Sequence, residues 1–164
     1  MIKLNIMFSN AIVRKPGKSI IKGLTKANFG IPDYHKALDQ YESYVYALSN
    51  CGLKVKELDA DENFPDSIFV EDTALLTPHC AIITNTGAQS RRDEIVGIKK
   101  EIKKFYADIE EILSPGTVEA GDIMMVGNHF YIGLSNQFIN FYLFYYVCIF
   151  AKTVTIIFPK TVTF

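Results

Sequence analysis

The chain has 164 residues, with 17 Lys+Arg against 18 Asp+Glu and a formal net charge of −1. That balance excludes the net-basic footprint of an electrostatic nucleic-acid binder, and a hydrophobic content of 49% excludes a disordered chain. Three scattered cysteines, Cys51, Cys80 and Cys148, fit neither a disulfide scaffold nor a CxxC zinc site and point to a reducing, cytoplasmic compartment.

Met1 to Arg14 has no basic flank leading into a long apolar core, so no secretory leader is read there. Asn10 to Arg14 reads as a short strand, followed by a Pro16-Gly17 turn. Pro32-Asp33 opens a helix whose inward positions are Ala37, Tyr41, Tyr44, Val45 and Leu48, and Gly52 stops it. Leu53 to Leu58 alternates apolar and charged residues, the pattern of a half-buried strand.

The pattern then begins again. Ile68 to Leu76 reads as a strand, and Thr77-Pro78 turns into a second one, Cys80 to Thr84. A helix follows with Ser90 as N-cap, an inward stripe of Ile95, Ile98, Ile102 and Phe105, and an outward face of lysines. Ile109 to Leu113 is a further strand. A third round opens with Ile123 to Val126, a Gly127-Asn128 turn and Phe130 to Leu134, a hairpin. The recurring order is strand–strand–helix–strand, which predicts a third amphipathic helix after Ser135. The sequence there is instead apolar all round.

Three polar segments stand out. In Asp66-Ser67-Ile68-Phe69-Val70-Glu71-Asp72, an acid pair interrupts a strand, and a charge in such a place requires a cationic partner, either a buried Arg or a cationic ligand. Solvated acids at a strand end are the alternative. In Ser90-Arg91-Arg92-Asp93-Glu94, paired arginines at a helix start oppose the macrodipole. One of them is either held for a carboxylate or phosphate, or paired with Asp93, Glu94 or the Glu71-Asp72 acids. In Pro115 to Asp122, glycines flank Glu119 and allow a sharp turn that presents it, with a plain solvated turn as the alternative.

Other chemistries find no support. His35, His79 and His129 are isolated, so no metal site is read from them. Cys80 lies in an apolar strand and reads as core. Neither a P-loop nor a GxGxxG run is present.

Taken together, Phe8 to about Asn136 resemble the dimethylarginine dimethylaminohydrolases of the amidinotransferase and arginine deiminase superfamily. The matching pieces are Gly23-Leu24-Thr25, Pro32-Asp33-Tyr34 with Lys36-Ala37-Leu38, FPDSIFVEDTALL (64–76), CAIIT (80–84), SRR (90–92), PGTVEAGDIMMVG (115–127) and HFYIGLS (129–135). The resemblance implies an α/β fold, an incomplete pentein-like propeller built from the strand–strand–helix–strand units read above. It implies hydrolysis of N-methylated arginine to citrulline and a methylamine, without a cofactor. By resemblance, Asp72 and Glu119 grip the guanidinium, with Glu119 counted among the catalytic groups. Asp66 and the Leu24 carbonyl hold the α-ammonium, Arg91 takes the α-carboxylate, and Glu71 is a neighbouring pocket residue. In the family a Cys thiolate attacks the guanidinium carbon and a His protonates the leaving amine. The implied partner is a small methylated arginine, with no nucleic acid and no membrane, and a homodimer is compatible with it. A related arginine deiminase or amidinotransferase, and a non-catalytic module binding cationic amino acids, are the alternatives.

The C-terminal segment departs from this pattern. The family continues after Gly-x-Ser with Arg-Thr-Asn, where this chain has Gln137-Phe138-Ile139. Phe138 to Phe164 holds nine of the 21 aromatics and two charges, Lys152 and Lys160, while the first 137 residues carry 15 − 18 = −3. Residues 1–136 are therefore read as two to three family blades and 137–164 as an anomalous apolar tail. Its readings are intron read-through or a frameshift, a membrane-seeking terminus too short for a span of about 20 residues, and an authentic β-rich ending. No residue matches the family nucleophile or acid, so the 164 residues alone are expected to be inactive and poorly folded.

Overall fold

The computed structural model describes residues 8–25, 30–127, 129–133 and 153–157, the last by backbone alone. It is an α/β protein of two compact units, Met1–Val70 and Glu71–Phe164.

In the first unit, β1 (Asn10–Arg14) and β2 (Lys54–Leu58) run parallel, with Asn10 opposite Lys54 and Arg14 opposite Leu58. Helix α1 (Tyr34–Asn50) connects them. It starts where it does because the Asp33 side chain accepts the backbone N–H groups of His35 and Lys36, at 2.8 and 3.1 Å, which would otherwise lack partners. It ends at Gly52, whose φ of 86° is a left-handed conformation that favours glycine. Tyr41 is the buried residue of α1, and its hydroxyl donates to Glu57 of β2 at 2.8 Å, tying helix to strand. Burial, then that hydrogen bond, raise the Tyr41 pKa. Tyr44 does not join the inward stripe as expected. It is 56% exposed, while the other inward positions, Ala37, Val45 and Leu48, are half-buried together with Leu38.

The second unit contains two three-stranded sheets of the same design. In the first, β3 (Ala74–Leu76) pairs antiparallel with β4 (Ala81–Ile83), and β4 pairs parallel with β5 (Ile109–Glu111). Helix α2 (Ile95–Ile102) makes the crossover from β4 to β5. In the second, β6 (Ile123–Val126) pairs antiparallel with β7 (His129–Gly133), and β7 pairs parallel with β8 (Thr153–Ile157). Strand β8 comes from the compositionally unusual tail and takes the position that β5 takes in the preceding sheet. The third helix predicted after Ser135 falls in 134–152, outside the described residues.

One core joins the two sheets. Leu75, Cys80, Ile82, Ile112, Val118, Ala120, Ile123, Phe130 and Ile132 pack together, and fully burying each large aliphatic or aromatic side chain contributes about 1.5–3 kcal/mol. Strand alternation sends Ile82 into this core and turns Ala81 and Ile83 the other way; α2 packs against β4 and buries Ile98 and Ile102. The β3–β4 turn is closed by Thr77, whose hydroxyl donates to the Cys80 carbonyl at 2.8 Å and accepts the Cys80 N–H at 3.0 Å. Gly127, with a φ of 61°, makes the β6–β7 turn.

Three sequence expectations are corrected here. The strand expected over 68–76 is only Ala74–Leu76, because Val70–Thr73 form a 3-10 turn that carries Glu71 and Asp72 out of the sheet. Ser90 is not an N-cap. A 3-10 segment over Gln89–Glu94 precedes α2, and no side chain caps it. Phe105 lies beyond the helix and is 48% exposed, so the inward stripe runs Arg91, Glu94, Ile98, Ile102.

Candidate active site

The first unit holds Leu24 and Asp66 together. The Asp66 carboxylate accepts the Leu24 N–H with both oxygens, each at 3.1 Å. Asp66 is 9% exposed, and its approach is so close that a Cβ on Gly23 would stand 2.7 Å from Oδ1. The Gly-Leu pair thus wraps the carboxylate with backbone. A 3-10 turn over Lys18–Lys22 leads the chain there, and Glu62 holds its start by accepting Lys18 and Ser19 N–H at 2.9 and 2.8 Å. The Leu24 N–H contact was not read from sequence. The adjacent glycine in the Gly23-Leu24 pair was the available signal.

The second unit assembles Glu71, Asp72, Arg91 and Glu119: the acids come from turns that lead into strands, and Arg91 from the 3-10 segment before α2. The turn Val70–Thr73 precedes β3, and the turn Ala120–Asp122 precedes β6. They meet at Gly121: a Cβ there would collide with Asp72 Oδ1 and lie 3.5 Å from Glu71 Cγ. Gly121 is required for this approach. Its backbone φ is not in the left-handed region, so the need for glycine there is the missing Cβ. The end of β4 braces both turns. Thr84 Oγ1 donates to the Asp72 carbonyl at 2.6 Å, the Val118 N–H donates to the Asn85 carbonyl at 2.8 Å, and Asn85 Nδ2 donates to the Gly116 carbonyl.

Arg91 is the cation of this cluster and is 7% exposed. Its Nη1 donates to Asp72 at 2.9 Å. Its Nε and Nη2 edge meets the Glu94 carboxylate at 3.0–3.2 Å. Of the partners open to it from sequence, Arg91 takes Asp72 and Glu94. Burial alone would lower the Arg91 pKa, but the hydrogen bonds to Glu94 and Asp72 outweigh it and raise the value. Arg92 lies beside the cluster with Nε toward the Thr86 carbonyl, at 3.4 Å.

The remaining acids are pushed toward protonation. Burial raises the Glu119 pKa, and the neighbouring Asp72 and Asp122 charges add to this against Arg91 and the Gly87 N–H. Glu71 is exposed to solvent, so the upward push on its pKa from desolvation and then from Asp72 is weak. A compact acid cluster of this kind, with one fixed arginine, suits a ligand bearing a delocalised cation and an anionic end. Among the described residues no His/Cys/Asp/Glu group has the arrangement to hold a metal. Cys80 is buried, and burial raises its thiol pKa, as fits a core residue.

The fold and this cluster define the class: the chain is an α/β protein with the pentein fold. Over most of its length it is similar to the N-terminal part of dimethylarginine dimethylaminohydrolases. It is 53% identical over 130 residues to the N(G),N(G)-dimethylarginine dimethylaminohydrolase of Pseudomonas aeruginosa, covering 79% of this chain and 51% of the relative. It is 35% identical over 124 residues to the Streptomyces coelicolor protein of the same name, covering 75% and 48%. A solved structure of the Pseudomonas aeruginosa protein, a mutant complexed with citrulline, superposes with a TM-score of 0.87 at 43% identity, over 94% of this chain and 63% of that one. The N-terminal domain of a cyanobacterial arginine dihydrolase shares the fold at 14% identity, with a TM-score of 0.78 over 90% and 56%. No protein-family model matches the sequence. The chain spans about half the length of the curated relatives it matches. Among the described residues no helix is long and apolar enough to cross a membrane.

Proposed function

We propose that this chain is the substrate-gripping part of a dimethylarginine dimethylaminohydrolase-like enzyme. The observation that carries the reading is the 53% identity to the Pseudomonas aeruginosa protein across the segments that supply the acids and Arg91. In this reading Asp72 and Glu119 hold the planar guanidinium of an N-methylated arginine and stabilise its charge. Asp66 and the Leu24 carbonyl receive the α-ammonium, Arg91 receives the α-carboxylate, and Glu71 lines the pocket.

The chemistry of the reading is hydrolysis at the guanidinium carbon. A Cys thiolate adds to that carbon, the leaving dimethylamine departs with a proton from a His, and water hydrolyses the S-alkylthiouronium to citrulline and free thiol. In this reading none of the 164 residues takes the part of that Cys or His, and Cys148 is not assigned to it. Residues 1–136 are then the binding blades of an open propeller, and 137–164 form a segment of separate character. The chain alone binds and does not turn over.

Calorimetric titration of asymmetric dimethylarginine into the purified chain, beside an assay for citrulline, tests this. Binding without citrulline, abolished in Asp72→Ala, is the expected result. Citrulline release would overturn the assignment of inactivity, and absence of binding would overturn the gripping role.

A further inference from the structure

Glu94 has no part in the substrate contacts above, yet it is 4% exposed and carries its charge into the protein interior. An isolated buried carboxylate is costly, so its position is explained by what it touches. It faces the Nε and Nη2 edge of Arg91: Nε lies 3.1 and 3.2 Å from its two oxygens and Nη2 lies 3.0 Å from Oε2. This is a side-on carboxylate–guanidinium clamp, which fixes the plane of the group as well as its charge. The clamp depends on the local backbone. Gln89–Glu94 is a 3-10 segment, in which side chains three residues apart eclipse one another, so Glu94 sits directly in line with Arg91. The opposite end of the guanidinium, Nη1, is thereby aimed at Asp72, 2.9 Å away.

We infer that Glu94 is a positioning residue for Arg91: it clamps the Nε/Nη2 edge so that the Nη1 end faces Asp72 and the ligand. The inference deepens the reading of Arg91 as the α-carboxylate receptor and rests on it for the ligand. The clamp itself does not depend on that reading.

The test has two arms. In the first, the Arg91 Nε–H resonance is assigned in ¹⁵N-labelled chain by its loss in Arg91→Lys, and its shift and solvent exchange are followed in Glu94→Gln and Glu94→Asp. A marked shift and faster exchange in Glu94→Gln, partly restored in Glu94→Asp, is expected. An unchanged resonance overturns the inference. In the second arm, the same variants are titrated with dimethylarginine and with its decarboxylated counterpart. Loss of an oriented charged contact weakens dimethylarginine roughly tenfold or more in Glu94→Gln and leaves the decarboxylated ligand unchanged. Equal loss for both ligands overturns positioning and leaves a merely structural role. If Glu94→Gln does not fold, Glu94→Asp carries the comparison, with a smaller loss confined to the carboxylate-bearing ligand. If the wild-type chain binds neither ligand while the resonance responds as expected, the functional reading falls and the clamp stands.

Discussion

The α-carbon of Gly121 and the carboxylate of Asp72 approach so closely that no Cβ fits between them. The backbone there is ordinary, so the requirement for glycine is steric. Gly121→Ala is expected to push Asp72 off its 2.9 Å contact with Arg91 and to destabilise the chain by about 1–3 kcal/mol, the usual cost of overpacking. Urea denaturation reads the stability, and dimethylarginine titration reads the displaced carboxylate. Unchanged values in both would show that the turn relaxes without consequence.

Asp66 offers a separable test in the first unit. Asp66→Ala removes the acceptor of the Leu24 N–H and should cost about 1.5–3 kcal/mol, as for a hydrogen bond to a charged group. Asp66→Asn keeps one acceptor oxygen and should cost less. Equal stability of the two variants would exclude the backbone contact as the reason for this acid.

The shifted acids give a pH dependence of defined sign. The folded-state pKa of Glu119 lies above its ordinary value of 4.5, chiefly through burial. Between 4.5 and the raised value, the folded chain binds more protons than the unfolded one, so stability falls as pH rises through that window. Glu119→Gln should flatten this part of the profile, measured as the urea midpoint against pH. Glu71→Gln should alter it less, because Glu71 is exposed to solvent. Affinity for a cationic ligand should follow the opposite course and rise with ionisation of Glu119. A profile unaffected by Glu119→Gln would contradict the burial argument.

Cysteine reactivity should divide by burial. Cys51 is exposed at the end of α1, while Cys80 is buried with its pKa raised by desolvation. Alkylation followed by peptide mapping is expected to label Cys51 well before Cys80 in the folded chain, and both at similar rates in urea. Early labelling of Cys80 would contradict its placement in the core.

Strand β8 gives the fifth prediction. It pairs with β7 from His129↔Thr153 to Gly133↔Ile157. Deleting residues 153–164 should leave β7 as an edge and speed amide exchange across 129–133, with β4 exchange little changed. Unaltered protection of β7 would rule out a stabilising role for the tail strand.

Local signals carried much of this fold. Asp33 as N-cap, the alternation of 54–58 and the Gly127 turn each act within a few residues, and each element formed where its chemistry placed it. The 68–76 segment misled because its apolar residues suggest a strand, whereas burying Glu71 and Asp72 in a ladder would have been costly and the chain forms a 3-10 turn there. Ser90 misled because capping potential yields to the buried pairing of Arg91 with Glu94. At the site, Glu71 and Asp72 stand out as charges interrupting an apolar run, Arg91 as a cation set against the helix dipole, and Glu119 as an acid between glycines. The Arg91–Glu94 pair is local, three residues apart, but that Asp72 would meet both Arg91 and Gly121 depends on how distant segments pack, and no local pattern encodes that.

The hairpins β3–β4 and β6–β7 carry the acids at one end and close at the other, at Thr77–Cys80 and Gly127. In a strand, side chains alternate between faces, so the residue count of a turn sets which face every residue beyond it presents. These closures act as rulers for groups several residues away. Losing one residue at either would reverse the facing of the returning strand against the one that follows the acids, and so unseat the turns that hold them, with every charged residue of the cluster still present in the sequence.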